Sequence, residues 1–372
     1  MPIRVVVLDD NHYVRTYAQE TRPVSATFNQ FVEAVARSPR VGRVSYLVPV
    51  RHLRIWEVEP ALDPVDESLL DTVPMAPFGG IADRVLRAGW IAARNWRPIA
   101  RAVAQADLLW LRLPASNALL ALTAARRHGV PVFSWIDGQE GAVSQLATEL
   151  GPSINADVQM FASTIRDEEI AETRRLSGEH AHEGPWRIAW AGRMNSARPV
   201  EELVESVRLL IERGRDVVLV VMCDGPARKS IERRLRALGQ HRVEDYGAVG
   251  DRPTYMRLLR EADVLVHPSF ASGMPEVLID AMAAGLPIVA VGESGGVVRD
   301  ILGDGERGIV VSAAESQELA GALEELLDRP QRRQELRLRA LDWVSDRTAR
   351  AQAGRLVQKL VELFPDLDWS ER

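Results

Sequence analysis

Ala262-Asp263-Val264-Leu265-Val266-His267-Pro268-Ser269-Phe270-Ala271-Ser272-Gly273-Met274-Pro275-Glu276-Val277-Leu278-Ile279-Asp280-Ala281-Met282-Ala283-Ala284-Gly285-Leu286-Pro287 carries the densest pattern in this chain. Residues 264–267 are a short apolar run, as expected of a strand covered on both faces of a parallel sheet. Pro268 ends the run, Gly273 lies in a loop, and a helix starts near Pro275. Gly285 closes that helix and Pro287 leads into the next apolar run, 288–291. Strand, glycine loop, helix, strand is the repeating unit of a parallel α/β sheet.

The same alternation extends in both directions. Strand-like runs fall at 3–9, 44–50, 107–113, 130–136 and 158–162, then at 187–191, 217–222, 264–267, 288–291 and 309–311. Helical apolar spacing lies between them, at 28–37, 201–212, 228–238 and 316–327. The fold class is therefore α/β, doubly wound, with parallel sheets. A length of 372 residues, at ~100–200 residues per domain, suggests two domains. The alternation breaks at the polar stretch ending in Gly184-Pro185, so the expected boundaries are 1–168, a linker 169–185, 186–345, and a last helical segment 346–372. Residues 57–74 are acidic and carry three prolines; they read as a surface loop or a partly helical insertion.

Composition narrows the function. Cys223 is the only cysteine, so no internal disulfide forms and a reducing compartment is expected. The longest uncharged run, 113–125, has 13 residues, short of the ~18 that a membrane span needs. Met1-Pro2-Ile3-Arg4 leads straight into a strand-like run, so no signal peptide is expected. A net charge of −6 argues against a bulk nucleic-acid binder. Lysine occurs only at Lys229 and Lys359, which reads as the codon bias of a GC-rich, bacterial genome.

Ligands of open parallel sheets sit beyond the carboxyl ends of the strands. After 187–191 come Gly192, Arg193 and, five residues on, Arg198. The two guanidinium forks suit a diphosphate; read alone, they are equally two solvated surface arginines. After 217–222 comes Asp224-Gly225-Pro226, a turn that opens a helix. Gly273 lets a ligand approach the backbone, and helix-start N–H groups around Met274, Glu276, Val277 and Leu278 suit phosphate. Asp280 lies about one turn into the helix and is either a sugar-hydroxyl acceptor or an ordinary helix position. Gly292-Glu293-Ser294-Gly295-Gly296 is a further glycine turn with nest-forming N–H groups.

These residues resemble glycosyltransferase family 4, the retaining, nucleotide-sugar-dependent enzymes of the GT-B fold. Five features match in order and spacing: Gly192-Arg193 with Arg198; Asp224-Gly225-Pro226; Ala262-Asp263 with Pro268-Ser269; the block from Gly273 through Asp280 to Pro287; and Gly295-Gly296. They cover about a third of the chain. The resemblance implies two Rossmann-like domains facing a central cleft. Residues 1–168 would bind the acceptor, 186–345 the nucleotide sugar, and 346–372 would return toward the first domain. It implies a metal-independent transfer of a hexose-type sugar to a hydroxyl of a glycan, lipid-linked or small-molecule acceptor, without a cofactor. Arg193, Arg198 and Ser272 become the catalytic candidates. Gly192, Gly225, Gly273, Met274, Glu276, Val277, Leu278 and Asp280 become the donor-binding set.

The departures from the family pattern are specific. The two acidic positions of its E-x7-E signature are Ser272 and Asp280. Asp280 keeps a carboxylate for the ribose hydroxyls, with shorter reach. Ser272 replaces a charged donor contact with a neutral hydroxyl, which puts ~1.5–3 kcal/mol at stake. That replacement motivates the alternatives, a GT-B protein without transfer activity or a sugar-nucleotide epimerase. The first half matches weakly: Arg22 and Asp137 are the acceptor-side candidates, with Ser25 or Thr27 as a helix cap. Asp366-Leu367-Asp368 lies too near the end of the sequence to read as a metal site. Residues 80–101 hold five arginines, Trp90 and Trp96 against the single acid Asp83. They read either as a surface helix with inward tryptophans or as a contact with an anionic membrane. The expected location is cytoplasmic, or peripheral at the inner face of the membrane.

Overall fold

The computed structural model describes residues 2–24, 28–54, 57, 60, 62–77, 87–136, 151–176, 184–194, 197–268, 274–312 and 315–371, without the side chains of 193 and 197–199. The chain divides into two compact units, Met1–Thr164 with Ala349–Arg372, and Ile165–Thr348.

Unit 1 carries strands β1 (Ile3–Leu8), β2 (Tyr13–Arg15), β3 (Thr21–Pro23), β4 (Val41–His52), β5 (Leu70–Met75), β6 (Leu108–Leu113), β7 (Val132–Ile136) and β8 (Ser153–Asn155). Six of them run parallel in the order β5-β4-β1-β6-β7-β8. β2 pairs with the last residues of β4, and β3 lies antiparallel on β2. One face is aromatic: Trp110 stacks on Phe133 with centroids 5.4 Å apart, and Phe28, Phe31 and Trp135 pack around them. The helix Ala349–Leu363 closes that core, burying Ala353, Leu356, Val357 and Leu360 beside the helix Phe28–Ala36.

Unit 2 is a second parallel sheet. Its strands are β9 (Trp186–Arg193), β10 (Val217–Asp224), β11 (Val243–Asp245), β12 (Val264–His267), β13 (Ile288–Val291) and β14 (Ile309–Val311), in the order β11-β10-β9-β12-β13-β14. Both units thus have the same Rossmann-like order, in which the chain starts at a central strand, winds one way, then returns and winds the other.

The structure departs from the sequence expectation in three places. The stretch read as a linker contains the helix Asp167–Leu176, with Ile170 and Thr173 buried in unit 2. Its acidic first turn (Asp167, Glu168, Glu169) and basic last turn (Arg174, Arg175) complement the helix dipole, a signal that outweighs its polar composition. The insertion at 57–74 ends in β5, whose Leu70 and Met75 are buried against β4 although Pro74 and Asp71 mask the alternation. The last strand of unit 1 is β8 at 153–155, whereas 158–162 is not a strand: Asp157 accepts the N–H groups of Gln159 and Met160 and turns the chain there.

Candidate functional site: the strand exits of unit 2

The winding of unit 2 reverses between β9 and β12, so the loops leaving those two strands flank the switch point where such sheets bind ligands. The segments singled out from sequence converge on this edge. Gly192 and Arg193 are the last residues of β9, and Gly192 sits at φ +120°, a value that favours glycine. Arg193 is in register with Asp224, the last residue of β10. Gly225 follows, and a β-carbon there would stand 2.5 Å from the carbonyl oxygen of Met194. Two hydrogen bonds lock the contact: Met194 N–H donates to the Asp224 carbonyl at 3.0 Å, and Ala227 N–H donates to the Met194 carbonyl at 3.1 Å. Gly225 therefore seats the backbone of Met194, the residue after Arg193. Arg198 follows in the first turn of the helix Ala197–Glu212.

On the other side of the switch point β12 ends at His267, and the helix Glu276–Ala283 begins with no side-chain cap. Ser272 and Gly273 lie outside the described residues. Met274 and Val277 are half-buried, and Glu276 is exposed in the first turn. Leu278 differs from expectation: its side chain is fully buried and its N–H already donates to Pro275 at 2.9 Å.

Asp280 also differs from expectation. It is 7% exposed, and Oδ1 accepts from Arg252 Nη1 at 2.7 Å. Tyr255 adds a side-chain hydrogen bond to the same carboxylate. The rest of the Arg252 fork is bidentate to Glu169, at 2.8 and 3.1 Å. Burial pushes the Asp280 carboxyl up, and Arg252 offsets this in part. Burial alone would lower the Arg252 pKa, but Asp280 and Glu169 outweigh it and hold the guanidinium charged. The carboxylate expected to hold ribose hydroxyls joins three helices of unit 2 through Arg252. Arg260 completes the attachment through Thr173 Oγ1 (3.0 Å) and the Glu169 carbonyl (3.1 Å).

Sequence reasoning missed His267. Its Nε2 is buried without a partner, and burial lowers its pKa to about 4, so the imidazole is neutral. A polar residue closing an otherwise apolar strand was the available signal.

In unit 1, Arg22 is engaged by Glu20 at 2.7 Å and by the Leu62 carbonyl at 3.1 Å, on the β2–β3 hairpin. Asp137 lies outside the described residues, as do Ser25, Thr27, His180 and His182. At the exit of β1, Asp9 is 1% exposed and accepts from Tyr46 (2.5 Å), Tyr13 (3.2 Å) and Arg112 (3.0 Å). Burial and the Asp9 charge push both phenols well above their ordinary range. Among the described residues no His, Cys, Asp and Glu cluster is arranged to hold a metal ion, and no helix is long and apolar enough to cross a membrane.

Residues 185–329, most of unit 2, match the family described as Glycosyl transferases group 1. This match lies wholly within unit 2. The matched stretch contains both halves of the switch-point loop set. Alpha-D-kanosaminyltransferase of Streptomyces kanamyceticus is 32% identical over 152 residues, 40% of this chain and 38% of the relative. D-inositol 3-phosphate glycosyltransferase of Corynebacterium diphtheriae is 32% identical over 211 residues, 54% of this chain and 47% of the relative. The chain thus spans less than half the length of these curated relatives. Over the whole chain the likeness is one of fold. HepE of Anabaena, solved with UDP and glucose, superimposes with a TM-score of 0.62 at 15% identity, covering 97% of this chain and all of HepE. Two Rossmann-like domains of this kind make a GT-B architecture.

Proposed function

We propose that this chain is a retaining glycosyltransferase that moves a hexose-type sugar from a nucleotide diphosphate to a hydroxyl acceptor. The observation that carries the reading is the placement of Gly192-Arg193, Asp224-Gly225 and the start of the Glu276 helix at the carboxyl edge of unit 2, around its switch point. The match of this same unit to the glycosyltransferase family supports it, as does the presence of UDP in the HepE structure.

In this reading the donor diphosphate lies across the exits of β9 and β12. Arg193 and Arg198 supply the positive charge that the leaving diphosphate needs as the glycosidic bond breaks, in place of a divalent ion. Gly225 holds Met194, the residue after Arg193, against the exit of β10, which favours charge that is in place before the reaction. N–H groups around Gly273, Met274, Glu276 and Val277 add to it. The acceptor hydroxyl attacks the anomeric carbon on the face the diphosphate leaves, and its proton passes to the leaving phosphate oxygen. Ser272 contributes a neutral hydrogen bond to the sugar. No protein base is required, and no cofactor other than the donor.

Calorimetric binding of UDP-, GDP- and ADP-sugars, with Arg193→Ala as control, tests the assignment. One selective donor, weakened in the variant, is expected. No binding across the panel overturns it. Conversion of a bound donor to its epimer with no acceptor present replaces it with epimerase chemistry.

A further inference from the structure

The carboxyl ends of β4 and β5 open onto a cavity of about 960 Å³ within unit 1. Its described lining presents Arg51, Arg87, Arg94, His12 and His52, and no carboxylate. Arg15 also lines it, paired with Glu67 at 2.9 Å, while Arg51 pairs with Glu57 outside the lining. Both pairs are partly open to solvent, which screens them and keeps them weak. A concave surface of one sign repels itself, and its complement is an anion.

Two further features define that anion. Arg87 and Arg94 both lie over Trp90, their guanidinium carbons 4.9 and 5.3 Å from its ring centroid. Trp90 is 52% exposed, whereas Trp96 packs on the apolar core. The arginines are therefore gathered at an exposed indole, whose uncovered area can pack against the C–H face of a sugar or polyol ring. The helix Ala88–Ala104 begins here with no acid in its first turn and no side-chain cap, which adds the positive end of its dipole.

We propose that this cavity is a subsite for a phosphate ester carried on a hydroxylated ring, with Arg51 and Arg94 on the phosphate and Trp90 under the ring. That the compound is the acceptor rests on the transferase reading above; the binding itself does not. The phosphate belongs either to a soluble sugar or polyol phosphate or to a lipid headgroup.

The test is calorimetric titration of the full chain with glucose 6-phosphate, inorganic phosphate and glucose. Glucose 6-phosphate is expected to bind most tightly and glucose not at all. Arg51→Ala and Arg94→Ala should each weaken it about tenfold or more. Trp90→Ala should weaken glucose 6-phosphate and leave inorganic phosphate unchanged, and Arg193→Ala should change neither. In a parallel arm, the protein is sedimented with phosphatidic acid or phosphatidylcholine vesicles. Arg94-dependent sedimentation with the acidic vesicles alone, without soluble binding, assigns the phosphate to a headgroup and supports the subsite. Binding that survives Arg94→Ala but is lost in Arg193→Ala overturns it, as does no Arg94-dependent binding in either arm. Phosphate binding that follows Arg94 while every nucleotide sugar fails supports the subsite and removes the transferase reading.

Discussion

Gly225 leaves room for the backbone of Met194, whose carbonyl oxygen, carbonyl carbon and nitrogen lie 2.5, 2.8 and 2.9 Å from where a β-carbon would stand. Gly225→Ala must therefore push two strand exits apart. A loss of about 1–3 kcal/mol in urea unfolding is expected. Donor affinity should fall beyond that of an equally destabilised core variant. Gly321, in the helix Ser316–Asp328, has open space for 4 Å around the corresponding position. Gly321→Ala should be stabilising by roughly 0.5–1 kcal/mol. Similar effects at the two glycines would remove the positioning role from Gly225.

Arg252 is the only described cation bonded to both Asp280 and Glu169. Removing one partner of a buried pair strands the other, at a cost of about 3–5 kcal/mol. Arg252→Ala and Asp280→Ala should each unfold unit 2 more easily by that order. The double variant should cost clearly less than the two losses added together. Additive losses in denaturant titrations would show that the two residues act separately.

His267 titrates with a sign opposite to that of a paired histidine. Its folded pKa is lowered by burial to about 4, against ~6.5 for an ordinary histidine. The unfolded chain therefore takes up this proton first as pH falls. The stability from neutral His267 is complete above pH ~6.5 and drains away toward pH 4, by up to about 3 kcal/mol. The stability difference between the wild type and His267→Gln should shift by this amount over that window. A difference independent of pH would contradict the assignment.

Arg193→Ala and Arg198→Ala are expected to raise the donor Kd and lower kcat/KM by about ten- to a hundredfold each, the range of one charged hydrogen bond. Arg198→Lys keeps charge without the planar fork and should recover only part of the loss. Donor Kd values unchanged in both alanine variants would end the diphosphate assignment.

The parallel-strand cores were legible because their residues are apolar on both faces. β9, β10, β12, β13 and β14 all lie where continuous Val, Ile, Leu and Ala runs place them. Strands lacking such runs were not legible. β11 is Val243-Glu244-Asp245, held at the sheet edge by pairing with β10, and β5 is interrupted by Pro74. The motif positions around Gly192 and Gly225 were legible because backbone geometry demands glycine there. The role of Asp280 was not, because its partner Arg252 lies 28 residues away and Glu169 sits in a helix whose polar composition resembles a linker. The basic cavity was hidden for a related reason: Arg51 and Arg94 come from a strand end and a helix face that only the folded sheet brings together.

Unit 1 is built from two separated pieces of chain, and its aromatic core is sealed by Ala353, Leu356, Val357 and Leu360. During synthesis the first piece of unit 1 emerges ahead of unit 2 but lacks one wall until residues 349–363 have followed. Unit 2 is continuous and can complete itself while its elder neighbour waits. The order of birth and the order of maturation are thus reversed. A chain truncated after residue 348 should combine a protease-resistant unit 2 with a protease-sensitive unit 1.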